Sequence, residues 1–309
     1  MSLQVTFLGT SGAVPTTDRN PSAVFVRREG EAFLFDAGEG TQRQMMRFGT
    51  GFDVDRVFLT HVHGDHVLGI PGLVQTWDFN ERDDPLRIYT PRGTGQQIHD
   101  LVHAVGADPG YPVDVREVGP EETVLERAEY AVRTVPTEHR TRSVGYALVE
   151  DERKGRFDRE RAEELGVPVG PKFSRLHEGQ SVELEDGTVI DPEQVVGPPR
   201  PGRTVVYTGD TRPVESVIEA ARNADLLIHD ATFANEAATR AAETGHSTGG
   251  EAGEVAHRAD VHRLVLTHVS SRYAGDTGTL KADAEAAFDG HVQVARDGDT
   301  IEVAYPEKR

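Results

Sequence analysis

Seven consecutive residues carry a high density of metal-binding side chains. The stretch Thr60-His61-Val62-His63-Gly64-Asp65-His66 follows directly on the apolar run Val57-Phe58-Leu59. Such a run indicates a buried strand that ends in a turn, where Gly64 permits a sharp reversal. Imidazole nitrogens and a carboxylate at this spacing suit zinc. Exposed loop histidines grouped by chance are the alternative, and the adjacent carboxylate argues against it.

Composition restricts what kind of metal site the chain can build. The 309 residues include no cysteine, which excludes disulfides and cysteine-ligated zinc. Any site must therefore use His, Asp and Glu, which favours a hydrolytic metal over a structural one. A hydrophobic fraction of 37% is enough for a sizeable core.

The charge balance is strongly acidic. A formal net charge of -19 argues against a polyanionic substrate in dilute buffer. Only four of the 33 basic residues are lysine, a balance that we associate with proteins of very salty environments. Molar salt shortens the Debye length to about 3 Å and so screens repulsion from RNA. We therefore predict a halophilic source.

From the N-terminal sequence we expect no targeting signal. Residues 1–6 lack a basic segment followed by an apolar stretch, and no window approaches the length of apolar sequence that a membrane helix needs. We expect a cytoplasmic protein with no membrane partner.

The histidine-rich stretch resembles the signature of the metallo-β-lactamase superfamily. Within it, the pattern from Phe7-Leu8-Gly9-Thr10 to Thr267-His268 resembles the ribonuclease Z family, endonucleases that trim the 3′ end of precursor tRNA. Strands and helices alternate in two rounds, 1–150 and 203–309. This rhythm supports an α/β fold of the αββα sandwich type, in which two mixed sheets pack face to face with helices outside.

The resemblance implies a centre of two zinc ions per chain. One ion would be held by His61, His63 and His139, and the other by Asp65, His66 and His268. Asp210 would bridge both ions, because it follows the strand Thr204–Tyr207 in a glycine turn and a carboxylate offers two oxygens.

Three carboxylates and one histidine complete the implied site. Asp36, at the end of the strand Glu31–Phe35, would orient a ligand histidine from behind. Asp65 would also orient or deprotonate the attacking water. His246 lies in a His-Ser-Thr element and would protonate the leaving 3′ oxygen, steered by Asp230. Asp230 stands in place of the glutamate of the family's His-Glu-Ala-Thr element, so its contact to His246 could be close or pass through water.

One loop outside the centre resembles an RNA-contacting element of the family. The loop Pro15–Asn20 resembles the pattern Pro-x-Lys-x-Arg-Asn, with Thr17 in place of the lysine. Arg19 and Asn20 are retained, which implies RNA contacts from this loop. Arg272, just beyond His268, is placed to meet a phosphate. For the loop, an ordinary surface turn is the alternative.

Residues 151–203 interrupt the strand rhythm with charge, glycine and proline. We predict that 156–203 form an inserted arm, which resembles the exosite that protrudes from ribonuclease Z and grips the tRNA elbow. Its basic residues, Lys172 among them, favour RNA contact. A disordered or merely solvated insertion is the alternative.

The predicted function is zinc-dependent endonucleolytic removal of the 3′ trailer from precursor tRNA, by attack of a metal-activated hydroxide on the phosphodiester. The resemblance also implies a homodimer, and no DNA partner is expected. Two other readings remain open. One is a phosphodiesterase of the same fold that acts on small diesters, and the other is a non-catalytic RNA-binding protein stabilised by zinc.

Overall fold

The structure is a computed structural model that describes residues 2–106 and 108–308. Its contacts divide the chain into two compact units. One unit contains the chain up to Val149 and from Arg203 onwards, and the other is Glu150–Gly202.

The first sheet of the larger unit is mixed. Its strands are β1 (Leu3–Gly9), β3 (Ala23–Arg28), β4 (Glu31–Phe35), β5 (Arg56–Phe58), β6 (Leu86–Pro91), β7 (Val113–Val118) and β18 (Thr300–Glu302). They lie in the order β18-β1-β3-β4-β5-β6-β7. Pairing is antiparallel from β18 to β4 and parallel from β4 to β7.

The second sheet uses the remaining long strands. They are β8 (Thr123–Glu126), β9 (Tyr130–Pro136), β10 (Val144–Glu150), β13 (Thr204–Tyr207), β14 (Leu226–Asp230), β15 (Arg263–Thr267) and β17 (His291–Val294). Their order is β17-β15-β14-β13-β10-β9-β8, with parallel pairing from β13 to β17. A short pair, β2 (Ser11–Gly12) and β16 (Val269–Ser270), lies beside them.

Helices cover the outer face of each sheet, and the interior falls into three layers. The helices are α1 (Thr41–Phe48), α2 (Gly64–Val67), α3 (Ile70–Phe79), α4 (Gly95–Val102), α7 (Glu215–Ala220), α8 (Ala238–Thr244), α9 (Gly249–Arg258) and α10 (Gly278–Glu285). Side chains from both sheets, such as Phe58 and Tyr207, form the middle layer. The outer layers pack the sheets against α1, α3 and α4 on one side and α7, α9 and α10 on the other. The predicted αββα sandwich is confirmed.

The division of the strands differs from the predicted rounds. We expected residues 1–150 to form one round, but β8, β9 and β10 belong to the second sheet. The last strand, β18, returns to the first sheet and pairs with β1. Strand β10 belongs to the second sheet because its backbone pairs with β13. The pattern of residues within a strand does not reveal such pairing.

Two helix starts lie near the histidine-rich stretch and the Asp36 turn. Helices α2 and α3 are separate, and Pro71 occupies the first turn of α3, where a missing N–H costs little. Helix α1 is preceded by Gly40 in a left-handed conformation, and the Thr41 hydroxyl donates to the Gly38 carbonyl rather than capping the helix.

The smaller unit is folded and has its own core. It contains α5 (Arg159–Glu164), α6 (Pro171–His177) and a hairpin of β11 (Val182–Glu183) and β12 (Val189–Ile190). Its buried side chains are Ala162, Val167, Leu176, Val182, Ile190 and Val195. The segment is thus a folded unit in the structure. The predicted arm, 156–203, starts inside this unit and runs one residue past it, because Arg203 is buried in the larger unit.

No helix within residues 2–106 and 108–308 is both long enough and apolar enough to cross a membrane.

Candidate metal centre

The seven predicted ligands meet beside the carboxyl ends of the strands. His61, His63, Asp65 and His66 follow β5, and His139, Asp210 and His268 follow β9, β13 and β15 respectively. Parallel strands end at the same edge of a sheet, so their following loops converge. The convergence is complete, since every predicted ligand atom belongs to one of two neighbouring groups.

The first group contains three imidazoles and one carboxylate oxygen. His63 Nδ1 lies 3.0 Å from His61 Nε2 and 3.3 Å from His139 Nε2. Asp210 Oδ2 lies 3.5 Å from His61 Nε2 and 3.9 Å from His139 Nε2. All four candidate ligand atoms lie within 4.8 Å of one another, which is the spacing expected around one ion.

The second group, Asp65, His66 and His268, faces the other oxygen of the same aspartate. Asp210 Oδ1 lies 3.3 Å from both His66 Nε2 and His268 Nε2. Asp65 Oδ2 lies 3.2 Å from His268 Nε2 and 3.6 Å from His66 Nε2. The two oxygens of Asp210 therefore face two different groups, as a bridging carboxylate requires.

Two buried polar atoms of the second group lack hydrogen bonds. Within the described part of the chain, His66 Nε2 and Asp210 Oδ1 are fully buried and have no hydrogen-bond partner. Leaving such atoms unsatisfied costs about 1 to 3 kcal/mol each. A cation between them would satisfy both, so these residues fit a divalent metal.

Electrostatics keep Asp210 and His61 in the protonation states that a metal needs. Burial opposes ionisation of Asp210, but the surrounding imidazoles, His268 foremost, outweigh it and hold the pKa of this carboxyl well below its usual value. Burial lowers the pKa of His61, which favours the neutral ring with a free lone pair.

The side chains around His66 carry an excess of negative charge. This buried imidazole faces the carboxylates of Asp210, Asp36 and Asp65. Burial lowers the pKa of His66, but the three carboxylates outweigh burial and raise it well above the usual value. The pocket thus attracts a proton to a nitrogen that a metal ion would otherwise occupy.

Asp36 supports the centre from the buried layer between the two sheets. Its carboxylate is fully buried and accepts a hydrogen bond from His66 Nδ1 at 2.8 Å, which leaves His66 Nε2 directed at the centre. Asp36 also accepts from the Tyr207 hydroxyl, which reaches it from the second sheet at 2.8 Å. The role of Asp36 in orienting a ligand histidine stays a prediction.

His246 is paired with a buried carboxylate. Its Nδ1 lies 2.9 Å from Asp230 Oδ2, so the contact of this shorter acid is direct and not through water. Burial lowers the pKa of His246, but the charge and hydrogen bond of Asp230 outweigh it and raise the pKa to about 9. A protonated, partly exposed imidazole beside the metal groups can donate a proton.

The same geometry offers a second role for His246. Its ring also joins Asp210, Asp230 and His268 in a third group whose ligand atoms lie within 4.8 Å of one another. His246 could therefore bind a metal ion instead of donating a proton, and the two roles predict different behaviour on substitution.

Glycine is required beside Asp210. Gly209 has a φ of +59°, and a Cβ at this position would lie 2.6 to 2.7 Å from the side chain of Thr60. Any larger residue would displace Asp210, Thr60 or both. The close approach explains why the turn that presents Asp210 contains glycine.

Arg19 does not present its charge to RNA as expected. Its side chain is 7% exposed, and the guanidinium donates to Thr10 Oγ1 at 2.7 Å and to the Ala295 carbonyl at 2.6 Å. Asn20 donates its side-chain amide to the Glu39 carbonyl. Arg19 is thus corrected to an internal brace of its loop, because its hydrogen bonds are made within the fold.

The other two predicted RNA-binding residues are accessible. Arg272 is exposed and its guanidinium has no partner within residues 2–106 and 108–308. Lys172 lies in the smaller unit and donates to the Glu183 carbonyl. Their contacts with RNA remain predictions.

Arg19→Ala should therefore act on stability more than on RNA binding. We expect the free energy of unfolding to fall by about 1 to 3 kcal/mol, because Thr10 and Ala295 lose a buried donor. Denaturant unfolding would measure it, with the exposed Arg222→Ala as control. A large rise in KM for RNA at unchanged stability would restore the contact role.

Sequence reasoning missed several residues that hold the ligands in place. Thr60, Thr232 and Tyr207 contact the carboxylates behind the centre, and the backbone N–H of Ala13 donates to Asp65 Oδ2 at 2.7 Å. The two threonines were accessible to sequence reasoning, since Thr60 precedes His61 directly and Thr232 follows Asp230 by two residues, both at strand ends. Nothing local marks Tyr207 or Ala13.

Fold and site together define a member of the metallo-β-lactamase superfamily. The family model described as the metallo-beta-lactamase superfamily matches residues 16–151, and that of a beta-lactamase superfamily domain matches residues 194–269. The chain is 67% identical over 307 residues to ribonuclease Z of Halobacterium salinarum, covering 99% of both. It is 61% identical over 308 residues to that of Natronomonas pharaonis, covering 100% of both. The chain belongs to the ribonuclease Z family.

A solved structure agrees with this assignment. The short form of human tRNase Z superposes with a TM-score of 0.71 at 27% identity, covering 97% of this chain and 99% of the human one.

Proposed function

We propose that this protein is a metal-dependent endoribonuclease that removes the 3′ trailer from precursor tRNA. The observation that carries the proposal is the pair of ligand groups on either side of Asp210, in a chain of the ribonuclease Z family. Zinc is the proposed metal, because imidazole nitrogens and carboxylate oxygens suit it. Two ions per chain are proposed, because the ligands form two groups on either side of Asp210.

His61, His63 and His139 would hold one ion, Asp65, His66 and His268 the other, and Asp210 both. When bound, the ions supply a nucleophile at neutral pH and neutralise charge on the scissile phosphate.

Asp65 and His246 would carry out the proton transfers of the reaction. Water adds to phosphorus and the bond from phosphorus to the 3′ oxygen breaks. Asp65 accepts the proton that the water loses. His246 gives its proton to the leaving 3′ oxygen, and Asp230 holds the ring in place through Nδ1, which leaves Nε2 free for substrate. The products are a tRNA with a 3′ hydroxyl and a trailer with a 5′ phosphate.

The proposal is tested by comparing two substrates. Purified protein with zinc, in molar salt, should cut a precursor tRNA at the trailer junction and also hydrolyse bis(p-nitrophenyl) phosphate. Hydrolysis of the small diester alone would support the small-molecule phosphodiesterase instead. Tight tRNA binding with metal present and no cleavage of either substrate would support the non-catalytic RNA-binding protein.

We propose that the smaller unit, Glu150–Gly202, contacts the tRNA body. Its folded core can support an interaction surface. Arg156 is exposed without a side-chain partner in the described chain, and Arg159 and Arg161 form only surface pairs with glutamates of their own helix. Such pairs contribute about 1 kcal/mol or less to stability, so phosphate groups of RNA can take the place of the glutamates as partners of the arginines.

Removal of this unit should separate the two activities. Residues 151–202 can be replaced by a short Gly/Ser linker, since Gly202 lies against the carbonyl of Glu150. We expect kcat/KM for precursor tRNA to fall about 10- to 100-fold, because remote binding energy is lost. Hydrolysis of bis(p-nitrophenyl) phosphate should persist, because all seven proposed ligands lie outside the deletion.

Two outcomes would contradict the arm's role. Unchanged tRNA cleavage would remove it as a binding element. Equal loss of both activities with both ions retained would make it a structural element only. The variant should keep Arg203, which is buried and donates to the Val303 carbonyl.

The halophilic source, the homodimer and the cytoplasmic location remain predictions. Sedimentation of the purified protein in molar salt would test the oligomeric state and the salt requirement together.

A further inference from the structure

Each buried carboxylate behind the metal centre serves two histidines, and it reaches one of them through a threonine. Asp36 accepts directly from His66 Nδ1 at 2.8 Å. It also accepts from the Thr60 hydroxyl at 2.9 Å, and Thr60 Oγ1 lies 3.1 Å from His61 Nδ1. All four residues are buried.

A second buried carboxylate repeats this arrangement. Asp230 accepts from His246 Nδ1 at 2.9 Å and from the Thr232 hydroxyl at 2.6 Å. Thr232 Oγ1 lies 2.8 Å from His268 Nδ1. The same oxygen lies 3.2 Å from His246 Nδ1, which has the shorter contact to the carboxylate.

The direction of these hydrogen bonds follows from the chemistry of the groups. An ionised carboxylate can only accept, so each threonine hydroxyl gives its one proton to the aspartate. The threonine oxygen must then accept from the imidazole, which places a proton on Nδ1 of His61 and of His268. The Nε2 lone pair of each ring is left directed at Asp210.

We propose that Thr60 and Thr232 are positioning residues that fix the tautomers of two metal-binding histidines, one in each half of the centre. The inference rests on the proposed ligand roles of His61 and His268. It also makes Asp230 a shared support, which holds the proton donor His246 directly and the ligand His268 through Thr232.

Removing either hydroxyl should weaken metal binding. In Thr60→Val or Thr232→Val the side chain keeps nearly the same shape, but the ring loses its Nδ1 acceptor. The ring can then carry its proton on Nε2, where it blocks the metal. Loss of such a supporting partner lowers metal affinity about 10- to 100-fold. Thr60→Ser and Thr232→Ser keep the hydroxyl and should retain near-normal affinity.

Two measurements test the proposal. Competition with a zinc chelator should show one weakened ion in each valine variant. Long-range ¹H–¹⁵N spectra of the zinc-loaded protein report which ring nitrogen carries the proton, and the Nδ1–H signals of His61 or His268 should shift or disappear only in the matching valine variant. Thr134→Val removes a buried hydroxyl that bonds the Gly119 carbonyl, and serves as control.

Unchanged zinc affinity and unchanged tautomers in both valine variants would overturn the proposal. Equal loss in the serine and valine variants would also overturn it, since packing alone would then explain the effect. Failure of the wild-type protein to cleave precursor tRNA would count against the proposed function only, because the tautomer and affinity measurements do not use RNA.

Discussion

Asp210→Ala is expected to abolish precursor tRNA cleavage and to release metal from both halves of the centre together. The reason is that Oδ2 faces His61 and His139 while Oδ1 faces His66 and His268, so one truncation removes a ligand from each group. The buried imidazoles would also face one another without the intervening negative charge, which disfavours a second cation further. Elemental analysis after gel filtration and a cleavage assay on the same sample would measure both effects.

A control is available in an aspartate of the first sheet, at the edge opposite the ligand-bearing end of β5. Asp55→Ala removes a carboxylate that accepts from the Ala32 backbone N–H at 2.8 Å, just before β5 rather than after it. It should leave metal content and cleavage near wild type. A variant of Asp210 that kept two ions and cleaved normally would contradict the bridging assignment.

His246→Ala is expected to lower kcat for precursor tRNA by about 10² to 10⁴, the usual contribution of a general acid, while both ions stay bound. The leaving 3′ oxygen is a poor leaving group unless it is protonated. The His246 ring is held by Asp230 and exposes about one seventh of its side chain, so it can reach a bound substrate.

The small substrate supplies an internal control for this variant. A p-nitrophenolate leaves as a stable anion, so hydrolysis of bis(p-nitrophenyl) phosphate needs no acid and should lose far less activity than tRNA cleavage. Equal loss on both substrates would contradict the proton-donor role. Loss of one ion would instead support the third ligand group, in which His246 binds metal beside Asp210 and His268.

Local pattern was enough to predict most elements that carry ligands. The strands Glu31–Phe35 and Thr204–Tyr207 have the predicted bounds, because an apolar strand that ends in a glycine or polar turn is recognisable from a few residues. The ligands themselves follow such strand ends. No tertiary information was needed to predict that four of the ligands lie close together in space, since they are close in sequence: His61, His63, Asp65 and His66.

The partition of strands between the sheets could not be predicted in this way. A strand such as β10 has the same apolar alternation whichever sheet it joins, and its pairing with β13 spans the whole smaller unit in sequence. The predicted boundary near residue 150 followed the inserted segment rather than the backbone pairing. Only the formed sheets reveal that β8 to β10 lie with the C-terminal strands.

The sequence by itself determined which residue types lie at the strand ends, and with them the class of chemistry. The tertiary structure alone decided what supports those residues: Tyr207 reaches Asp36 from 171 positions away, and Arg19 bonds a carbonyl 276 positions away. The physical reason is that a ligand's type is a local property of the chain. The residue that orients a ligand is determined by how the two sheets pack. The residues next to the ligand in sequence do not indicate which residue that is.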